Sequence, residues 1–305
     1  MKTVMIFGGS GFIGQHIIRR LSKKGYKIIV PFQFKASEAK LRLYGNVGQI
    51  IPIKYRNLNN PKISRIINEV DYVINLKTIW LENRHISYRK HILDFNKHLI
   101  SLIKNSKKNI FYVFFSGIGV NSGSASKRTK CIYEVEKKIN EQLDYAAIIR
   151  PSIVIGEGDQ FLSKLFNIFR ISPIIPLFGD GNSKIQPIFV DDVAKSVETI
   201  LLKKSNKIGV NCYELAGTEI FTYKNLYTFI LDCLDLKRSF VSLPYSLMNF
   251  LLFFIEKTPF KILTREQLLL FKEDNISKSS NKDMENLGIS AKNIRLVIKK
   301  IINNR

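Results

Sequence analysis

The chain has 305 residues, of which 45% are hydrophobic and 24% charged, and this composition excludes a fibrous or an intrinsically disordered protein. Its 48 Lys and Arg residues against 25 Asp and Glu residues give a net charge of +23, which points to an anionic partner such as nucleic acid, an anionic membrane surface or an acidic protein. The basic pairs fall mostly near the ends of predicted helices, without a basic tail or an aromatic-basic repeat, so we do not expect nucleic acid as a partner.

The first predicted elements are a short apolar strand, a glycine-rich turn and an amphipathic helix. Residues 4–7 are apolar, and the apolar residues after the turn recur at helical spacing. The turn holds the candidate phosphate-binding residues Gly8, Ser10, Gly11, Phe12, Ile13 and Gly14. In this pattern Gly8 permits the tight turn, Gly11 admits a pyrophosphate to the backbone N–H groups, and Gly14 lets the helix pack closely on the strand. The stretch predicts a dinucleotide site, with a glycine turn that holds no ligand as the alternative.

The end of the second predicted strand, residues 27–30, bears on which dinucleotide is bound. An NAD-specific site usually has an Asp or Glu about 20 residues after the glycines to bind the ribose 2′-OH. Here Gln33 and Lys35 occupy that region, and no acid precedes Glu38. We therefore favour NADP(H), with Lys35 as the candidate for the 2′-phosphate although the usual Arg is missing. The alternative is NAD(H), with Lys35 merely exposed.

Strands and helices continue to alternate as far as residue 149. The predicted elements are a helix at 36–43, a strand at 49–54, a helix at 63–68, a strand at 71–76, a helix at 84–104, a strand at 110–115, a helix at 127–143 and a strand at 145–149. This alternation predicts an α/β fold with a doubly wound parallel sheet of the Rossmann type. Right-handed crossovers place the strand ends on one side, so Gly11, Gln33, Lys77 and Ser116 are expected to converge there.

From residue 150 onward the sequence is richer in Gly and Pro. We predict an NAD(P)-binding Rossmann domain at 1–155 and a smaller C-terminal lobe at 156–305, partly packed on the Rossmann sheet. Within the lobe, Asp191 and Asp192 are expected to cap one helix and Thr222 another.

Cysteine and histidine usage gives no sign of a metal site or of a secreted protein. Cys131, Cys212 and Cys233 lack metal or redox spacing, and the four histidines form no ligand motif. The first strand begins almost at Met1, so we expect no signal or transit peptide. The apolar stretch 243–255 is shorter than the roughly 20 residues of a membrane span, which favours a buried or interfacial helix.

These residues together resemble a known group, the atypical extended short-chain dehydrogenase/reductases related to the NADPH-binding accessory subunit of respiratory complex I, within the NAD-dependent epimerase/dehydratase-like proteins. The matching segments are GGSGFIG at 8–14, LRLYGNVGQ at 41–49, VINL at 73–76, IRPS at 149–152, Gly156 with DQF at 159–161, QP at 186–187, VDDV at 190–193, LTREQ at 263–267 and LGI at 287–289. The stretch at 41–49 is one that ordinary epimerases lack.

The resemblance implies a tightly held nucleotide in a protein that supports the assembly or stability of a respiratory complex, or that takes part in ubiquinone metabolism. Besides the glycine loop, it implies nucleotide contacts at Gln33, Lys35, Asn75, Leu76, Ser116 and Pro151. A bacterial form would be cytoplasmic and peripheral on the cytoplasmic face of the inner membrane, against respiratory subunits or an anionic membrane surface. Lys77 and Thr78 depart from the family, which has small apolar residues there.

Reductases of this superfamily carry a Tyr and, four residues later, a Lys, which exchange a proton with the substrate while hydride moves to or from the nicotinamide. Counting from the motifs on either side places this dyad at Arg128 and Ile132. A literal match, Tyr133 with Lys137, begins five residues later and is turned about 140° around the helix. The catalytic candidates are therefore Ser116, at the polar strand-end position, and Arg128. We expect no dehydrogenase turnover; the alternative is an NAD(P)-dependent reductase or epimerase of a small carbonyl, lipid or quinone-related substrate.

Overall fold

The computed structural model describes residues 1–33, 37–203, 208–255, 264–279 and 282–304. The first half consists of β1 Thr3–Phe7, α1 Phe12–Lys23, β2 Lys27–Phe32, α2 Ser37–Arg42, β3 Ile50–Lys54, α3 Pro61–Ile67, β4 Tyr72–Asn75, a π-helical segment Arg89–Asp94, α4 Phe95–Lys104, β5 Phe111–Phe115, α5 Lys127–Gln142 and β6 Tyr145–Pro151. The second half consists of β7 Val154–Ile155, α6 Gln160–Ile171, β8 Ile174–Phe178, β9 Lys184–Ile185, β10 Ile188–Phe189, α7 Val190–Lys203, β11 Gly209–Leu215, β12 Phe221–Thr222, α8 Tyr223–Cys233, β13 Ser239–Leu243, α9 Tyr245–Ile255, α10 Arg265–Lys272, α11 Lys282–Asn286 and α12 Ile294–Asn303.

Seven strands form one parallel sheet in the order β11-β6-β5-β4-β1-β2-β3. The chain winds outward from β1 in one direction through β2 and β3, and in the other direction through β4, β5 and β6. The winding reverses between β1 and β4, and ligands of such sheets bind at the carboxyl ends of the strands beside this point. The predicted doubly wound fold is confirmed.

Apolar layers cover both faces of the sheet. One lies under α1 and α7 and includes Ile17 and Val193, while the other lies under α3, α4 and α5 and includes Leu99 and Ile139. All four side chains are fully buried. A parallel sheet covered on both faces needs apolar residues on both sides of its central strands, which is why β1 and β5 are continuous hydrophobic runs.

The chain after residue 155 builds an apolar cluster of its own, which includes Phe166, Phe221 and Ile298. Three short strand pairs, β7 with β10, β8 with β13 and β9 with β12, surround it. The same part of the chain also supplies β11 and α7 to the large sheet and to its cover. The division into 1–155 and 156–305 stays a prediction.

The helix predicted at 84–104 begins later than expected. Asn83 and Ile86 form a β-bridge, and the helical conformation starts at Arg89. The Asn83 side-chain oxygen accepts hydrogen bonds from the backbone N–H groups of His85 and Ile86, both at 2.9 Å. This local bonding holds the segment in a turn and so delays the helix. The other predicted elements of the first half differ from the observed ones by only a few residues at their ends.

The predicted helix with an acidic N-terminus is confirmed as α7, although Asp191 and Asp192 lie after its first residue and not at the cap position. Both lie in the first turn of α7, and each carboxylate binds another part of the chain. The Asp191 carboxylate lies 2.6 Å from Nδ1 of His16 on α1, and Asp192 accepts a hydrogen bond from the backbone N–H of Lys292 at 2.8 Å. The two acids therefore join α7 to its neighbours. Thr222 does cap α8, as predicted.

The apolar stretch 243–255 forms the end of β13 and helix α9. Met248 and Leu252 are buried, whereas Leu247 and Phe250 are 45% and 62% exposed. In the parts of the chain that the structure describes, every helix is too short or too polar to cross a membrane. Helix α9 therefore packs on one side and presents apolar side chains on the other.

Candidate functional site

The glycine loop between β1 and α1 is tightly folded. Gly8 has a φ of +75°, and the Gly11 N–H donates to the Gly8 carbonyl at 3.0 Å. A Cβ at Gly8 would lie 3.0 Å from the Lys77 nitrogen, and a Cβ at Gly14 would lie 2.6 Å from the Gly8 oxygen. Gly8 thus adopts the turn conformation, and Gly14 permits the close helix packing, that the sequence predicts.

The N-terminus of α1 has the properties of an anion site. Gly11 is its N-cap residue, no side chain caps it, and its first turn contains no acid. By contrast, α3, α5, α6, α8, α10 and α12 all have a side-chain cap. Unpaired N–H groups at a helix start favour a phosphate, so the loop fits a dinucleotide.

The other predicted loop residues surround this N-terminus. The Ser10 carbonyl accepts a hydrogen bond from the Gln15 side chain at 2.7 Å. The Phe12 ring makes an edge contact with His16 at 5.6 Å between centroids, and Ile13 packs against the layer under α1. These contacts hold the first turn of α1 in place around Gly11.

The end of β4 is held by a buried polar network. The Asn75 side chain donates to Oδ1 of Asn96 at 2.7 Å and to the Tyr112 hydroxyl at 3.3 Å, and it accepts from the Lys77 N–H at 2.9 Å. Asn75 was predicted to contact nucleotide, but its side chain is used to set the chain direction after β4. Leu76, the next residue, is partly buried above the glycine turn.

Ser116 follows β5 at the same edge, because β5 pairs with β4. Its hydroxyl is buried and has no hydrogen-bond partner among the described residues. Its backbone N–H donates to Ile149 at 2.8 Å, and the Pro151 carbonyl accepts from the Ile118 N–H at 3.2 Å. A buried hydroxyl without a partner at a strand end fits a site that takes a polar ligand group.

Arg128 lies at the start of α5 and is tied to the loop after β4. Its guanidinium donates to the Ile79 carbonyl at 3.1 Å and to Oγ1 of Thr78 at 3.0 Å, and it stacks on the Trp80 ring at 3.9 Å from the centroid. Burial lowers the pKa of Arg128 to about 10, but this value is still far enough above neutral pH for the guanidinium to stay protonated. Ile132, at the other dyad position, is buried in the apolar layer under α5.

The literal Tyr and Lys pair lies elsewhere on α5. Tyr133 packs against the apolar layer formed with α4. Lys137 is exposed, with its ammonium 3.8 Å from Glu141. The two residues therefore behave as ordinary helix residues.

Gln33 and Lys35 are the two residues predicted to lie beside the adenosine ribose. Lys35 lies outside the described residues. Gln33 follows β2, and its side-chain amide donates to the Arg56 carbonyl at 3.4 Å. Arg56 was not among the candidate site residues predicted from sequence, because it follows β3 rather than β2. The only sequence signal was a basic residue two positions beyond the predicted third strand.

Lys77 joins the glycine turn to the end of β3. Its ammonium lies 4.0 Å from the centroid of the Phe95 ring and 5.9 Å from that of the Tyr55 ring. Burial lowers the pKa of Lys77 to about 8. Desolvation of a partly buried cation costs free energy, and contacts with two rings offset this cost only in part.

Replacing Lys77 with Met is therefore expected to stabilise the nucleotide-free protein by about 1–2 kcal/mol at pH 7. The folded-state pKa lies below the ordinary value of 10.5, so the unfolded chain binds more protons between about pH 8 and 10.5. The gain should thus be largest below pH 8 and should shrink as the pH rises through that window. Denaturant unfolding from pH 7 to 10 measures it, with Lys97→Met, an exposed lysine on α4, as the control. A loss of stability in Lys77→Met would show that the ring contacts outweigh the burial of charge.

No metal site emerges from the described part of the chain. It holds no cluster of three or more His, Cys, Asp or Glu side chains suited to an ion. Cys131, Cys212 and Cys233 are free thiols.

Comparison with known proteins places this geometry in a family. Residues 4–117 match the NAD dependent epimerase/dehydratase family. The chain is similar to the mitochondrial protein "NADH dehydrogenase [ubiquinone] 1 alpha subcomplex subunit 9" of Arabidopsis thaliana, with 28% identity over 84% of this chain and 65% of the relative. For the protein of the same name in Dictyostelium discoideum, the identity is 30% over 74% of this chain and 62% of the relative. The chain thus spans less than two thirds of the length of either relative.

The fold is also that of solved epimerase structures. The UDP-glucuronic acid 4-epimerase of Bacillus cereus, solved with UDP-glucuronic acid and NAD, superposes with a TM-score of 0.72 over 99% of both chains, at 14% identity. The glycine loop, the uncapped helix start and the sheet order agree with the sequence matches. Residues 4–117 are therefore similar to the NAD dependent epimerase/dehydratase family, and most of the chain is homologous to the alpha subcomplex subunit 9 proteins.

Proposed function

We propose that this protein binds NADP(H) as a structural ligand and serves as an accessory or assembly protein of respiratory NADH:ubiquinone oxidoreductase (complex I) or of ubiquinone metabolism, without dehydrogenase turnover. The observation that carries the proposal is the similarity, over most of this chain, to proteins named as subunits of NADH dehydrogenase. A nucleotide-binding family supplies the ligand class.

The chemistry of the site supports the absence of turnover. Hydride transfer to a carbonyl needs a proton donor for the developing alkoxide, and such a group typically contributes about 10²–10⁴-fold in rate. Arg128 has its guanidinium committed to Thr78, Ile79 and Trp80, and it does not readily release a proton. Ile132 has no polar group. Arg128 therefore holds the loop after β4, and neither side chain is suited to move a proton.

Peripheral attachment at the cytoplasmic face of the inner membrane is part of the proposal. Helix α9 exposes Leu247 and Phe250, and the chain carries a net charge of +23. Apolar side chains on one helix face together with a basic surface suit an anionic membrane or an acidic subunit beside it.

Native purification from the organism's own membranes tests the function. We expect the protein to sediment with membranes at low salt. At about 1 M salt, electrostatic attraction extends over only about 3 Å, so the protein should be released. In mild detergent it should co-purify with complex I subunits. It should carry bound NADP(H), identified after denaturation by mass spectrometry. Recovery wholly in the soluble fraction at low salt, without any respiratory subunit, would contradict the accessory role.

Substitution of Tyr133 by Phe and of Lys137 by Met is expected to change neither nucleotide retention nor NADPH oxidation, because neither side chain lies at the dyad positions. The measurement is NADPH oxidation with a panel of quinones, aldehydes and ketones, with a thermal shift to check that bound nucleotide still stabilises the fold. Robust wild-type turnover that collapses in both variants would establish a working reductase and a different helix register.

The alternative function is an NAD(P)-dependent reductase or epimerase of a small carbonyl, lipid or quinone-related compound. The buried, unpartnered hydroxyl of Ser116 is the observation that favours it, since a substrate oxygen is a suitable partner. Substrate-dependent NADPH oxidation lost on Ser116→Ala, with nucleotide still bound, would support this alternative.

A further inference from the structure

A groove of about 370 Å³ lies at the carboxyl ends of β2 and β3 and is lined by Gln33, Lys54, Tyr55 and Arg56. We call it the β2–β3 groove. The role inferred below for this groove rests on the proposed binding of a nicotinamide dinucleotide by this protein.

The order of strands in the sheet places the groove where dinucleotide-binding folds contact the adenosine ribose. Phe32 of β2 pairs with Lys54 of β3, and the Tyr55 N–H donates to the Phe32 carbonyl at 3.0 Å. Gln33, the residue after β2, is then in contact with Arg56, two residues after β3, as the hydrogen bond from the Gln33 side chain to the Arg56 carbonyl shows. The residue after the second strand faces the ribose 2′ position in these folds, and an Arg nearby accommodates a 2′-phosphate. Arg56 therefore lies beside the position that contacts the ribose, although it belongs to the loop after β3.

The groove is electrostatically one-sided. As far as the structure describes it, the lining contains two cations and no carboxylate. Lys54 and Arg56 are exposed, and within the described ranges neither has a carboxylate within ion-pair distance. The Lys77 ammonium lies 5.9 Å from the centroid of the Tyr55 ring and adds a third positive charge near the groove.

This set of groups discriminates between the two dinucleotides. A ribose 2′-OH is usually bound by a carboxylate, which the groove lacks, whereas a 2′-phosphate is a dianion that a planar guanidinium binds through two parallel hydrogen bonds. We infer that Arg56, assisted by Lys54, binds the adenosine 2′-phosphate and makes this protein selective for NADP(H). The selecting residue then comes from the loop after β3, and not from the loop after β2 where Lys35 lies.

Isothermal titration of the full-length, nucleotide-free protein with NADPH and NADH tests the inference. We expect wild type to bind NADPH at least about tenfold more tightly than NADH. Arg56→Gln should weaken NADPH by roughly 10–100-fold, the usual effect of removing a charge-assisted hydrogen bond, and change NADH by less than about twofold. The preference for 2′,5′-ADP over 5′-AMP should disappear in the same variant.

Two further variants make the comparison specific. Arg65→Gln removes an exposed arginine from α3 with the same change of charge and should leave both affinities unchanged. Lys35→Gln tests the residue favoured from sequence. If Lys35→Gln abolishes the preference for NADPH and Arg56→Gln does not, the assignment to Arg56 is wrong.

The remaining outcomes separate the inference from the proposed function. Equal wild-type affinity for NADPH and NADH, or an equal loss of both in Arg56→Gln, would overturn the selectivity assigned to Arg56 while dinucleotide binding stands. Binding of neither nucleotide would contradict the proposed function itself. Circular dichroism and thermal unfolding of each variant establish that the fold is intact.

Discussion

Gly11→Val is expected to abolish nucleotide binding, with a loss of affinity of at least about 100-fold, and to leave the fold intact. Gly11 has a φ of −76°, a backbone conformation that any residue adopts, and it is exposed. A Cβ there would meet only the Gly8 carbonyl, at 3.2 Å. The valine methyl groups would instead occupy the space in front of the uncapped N–H groups of α1. Titration with NADPH measures the affinity, and thermal unfolding measures the stability.

Gly14→Ala is the matched control, because it adds a side chain to the same loop at a position where it disturbs helix packing rather than the space for a ligand. A Cβ at Gly14 would lie 2.6 Å from both the Gly8 oxygen and the Gly9 Cα, so it would push α1 away from β1. We expect this variant to lose about 1–3 kcal/mol of stability. A Gly11→Val protein that retains NADPH at unchanged affinity would refute the phosphate-binding role of the loop.

Arg150→Met is expected to destabilise the protein by about 3–5 kcal/mol. Arg150 of β6 makes two hydrogen bonds to the Glu136 carboxylate of α5, at 2.9 and 2.5 Å. The Glu136 side chain is only 5% exposed, and its hydrogen bonds raise the pKa of Arg150 above its ordinary value. Removing the guanidinium leaves a buried carboxylate without its partner, which has to be neutralised or hydrated. Denaturant unfolding at pH 7 measures the loss.

Two controls separate burial from charge. The double variant Glu136→Met with Arg150→Met should recover much of the stability, because no unpaired charge is left behind. Arg42→Met breaks a surface pair, in which Arg42 is 59% and Glu38 is 37% exposed, and should cost no more than about 1 kcal/mol. A loss of stability in Arg150→Met that is no larger than in Arg42→Met would mean that the buried pair has no special weight. Because Glu136 lies on the helix that carries Arg128, the pair also positions the candidate site.

Much of the fold was predictable from local patterns. The glycine spacing at residues 8–14 and the apolar strands up to residue 149 are short-range signals, and the observed elements follow them closely. The prediction differed from the structure where a side chain forms hydrogen bonds that the sequence pattern does not show. Asn83 bonds its local backbone and delays a helix, while Asp191 and Asp192 bind His16 and Lys292 instead of capping α7.

The sequence by itself determined that this is a parallel α/β fold with a glycine loop of the dinucleotide-binding type, because strand periodicity and glycine spacing are properties of neighbouring residues. The assignment of Arg128 and Ile132 to the reductase dyad positions came from the family resemblance and stays a prediction. Only the tertiary structure decided that Arg128 is committed to the loop after β4 and that Lys77 lies against Phe95 and Tyr55. It also decided that Arg56 stands beside Gln33. These contacts join residues far apart in the chain. They exist only because the order of strands in the sheet makes β2 a neighbour of β3, and brings the segment after β4 close to the first turn of α5.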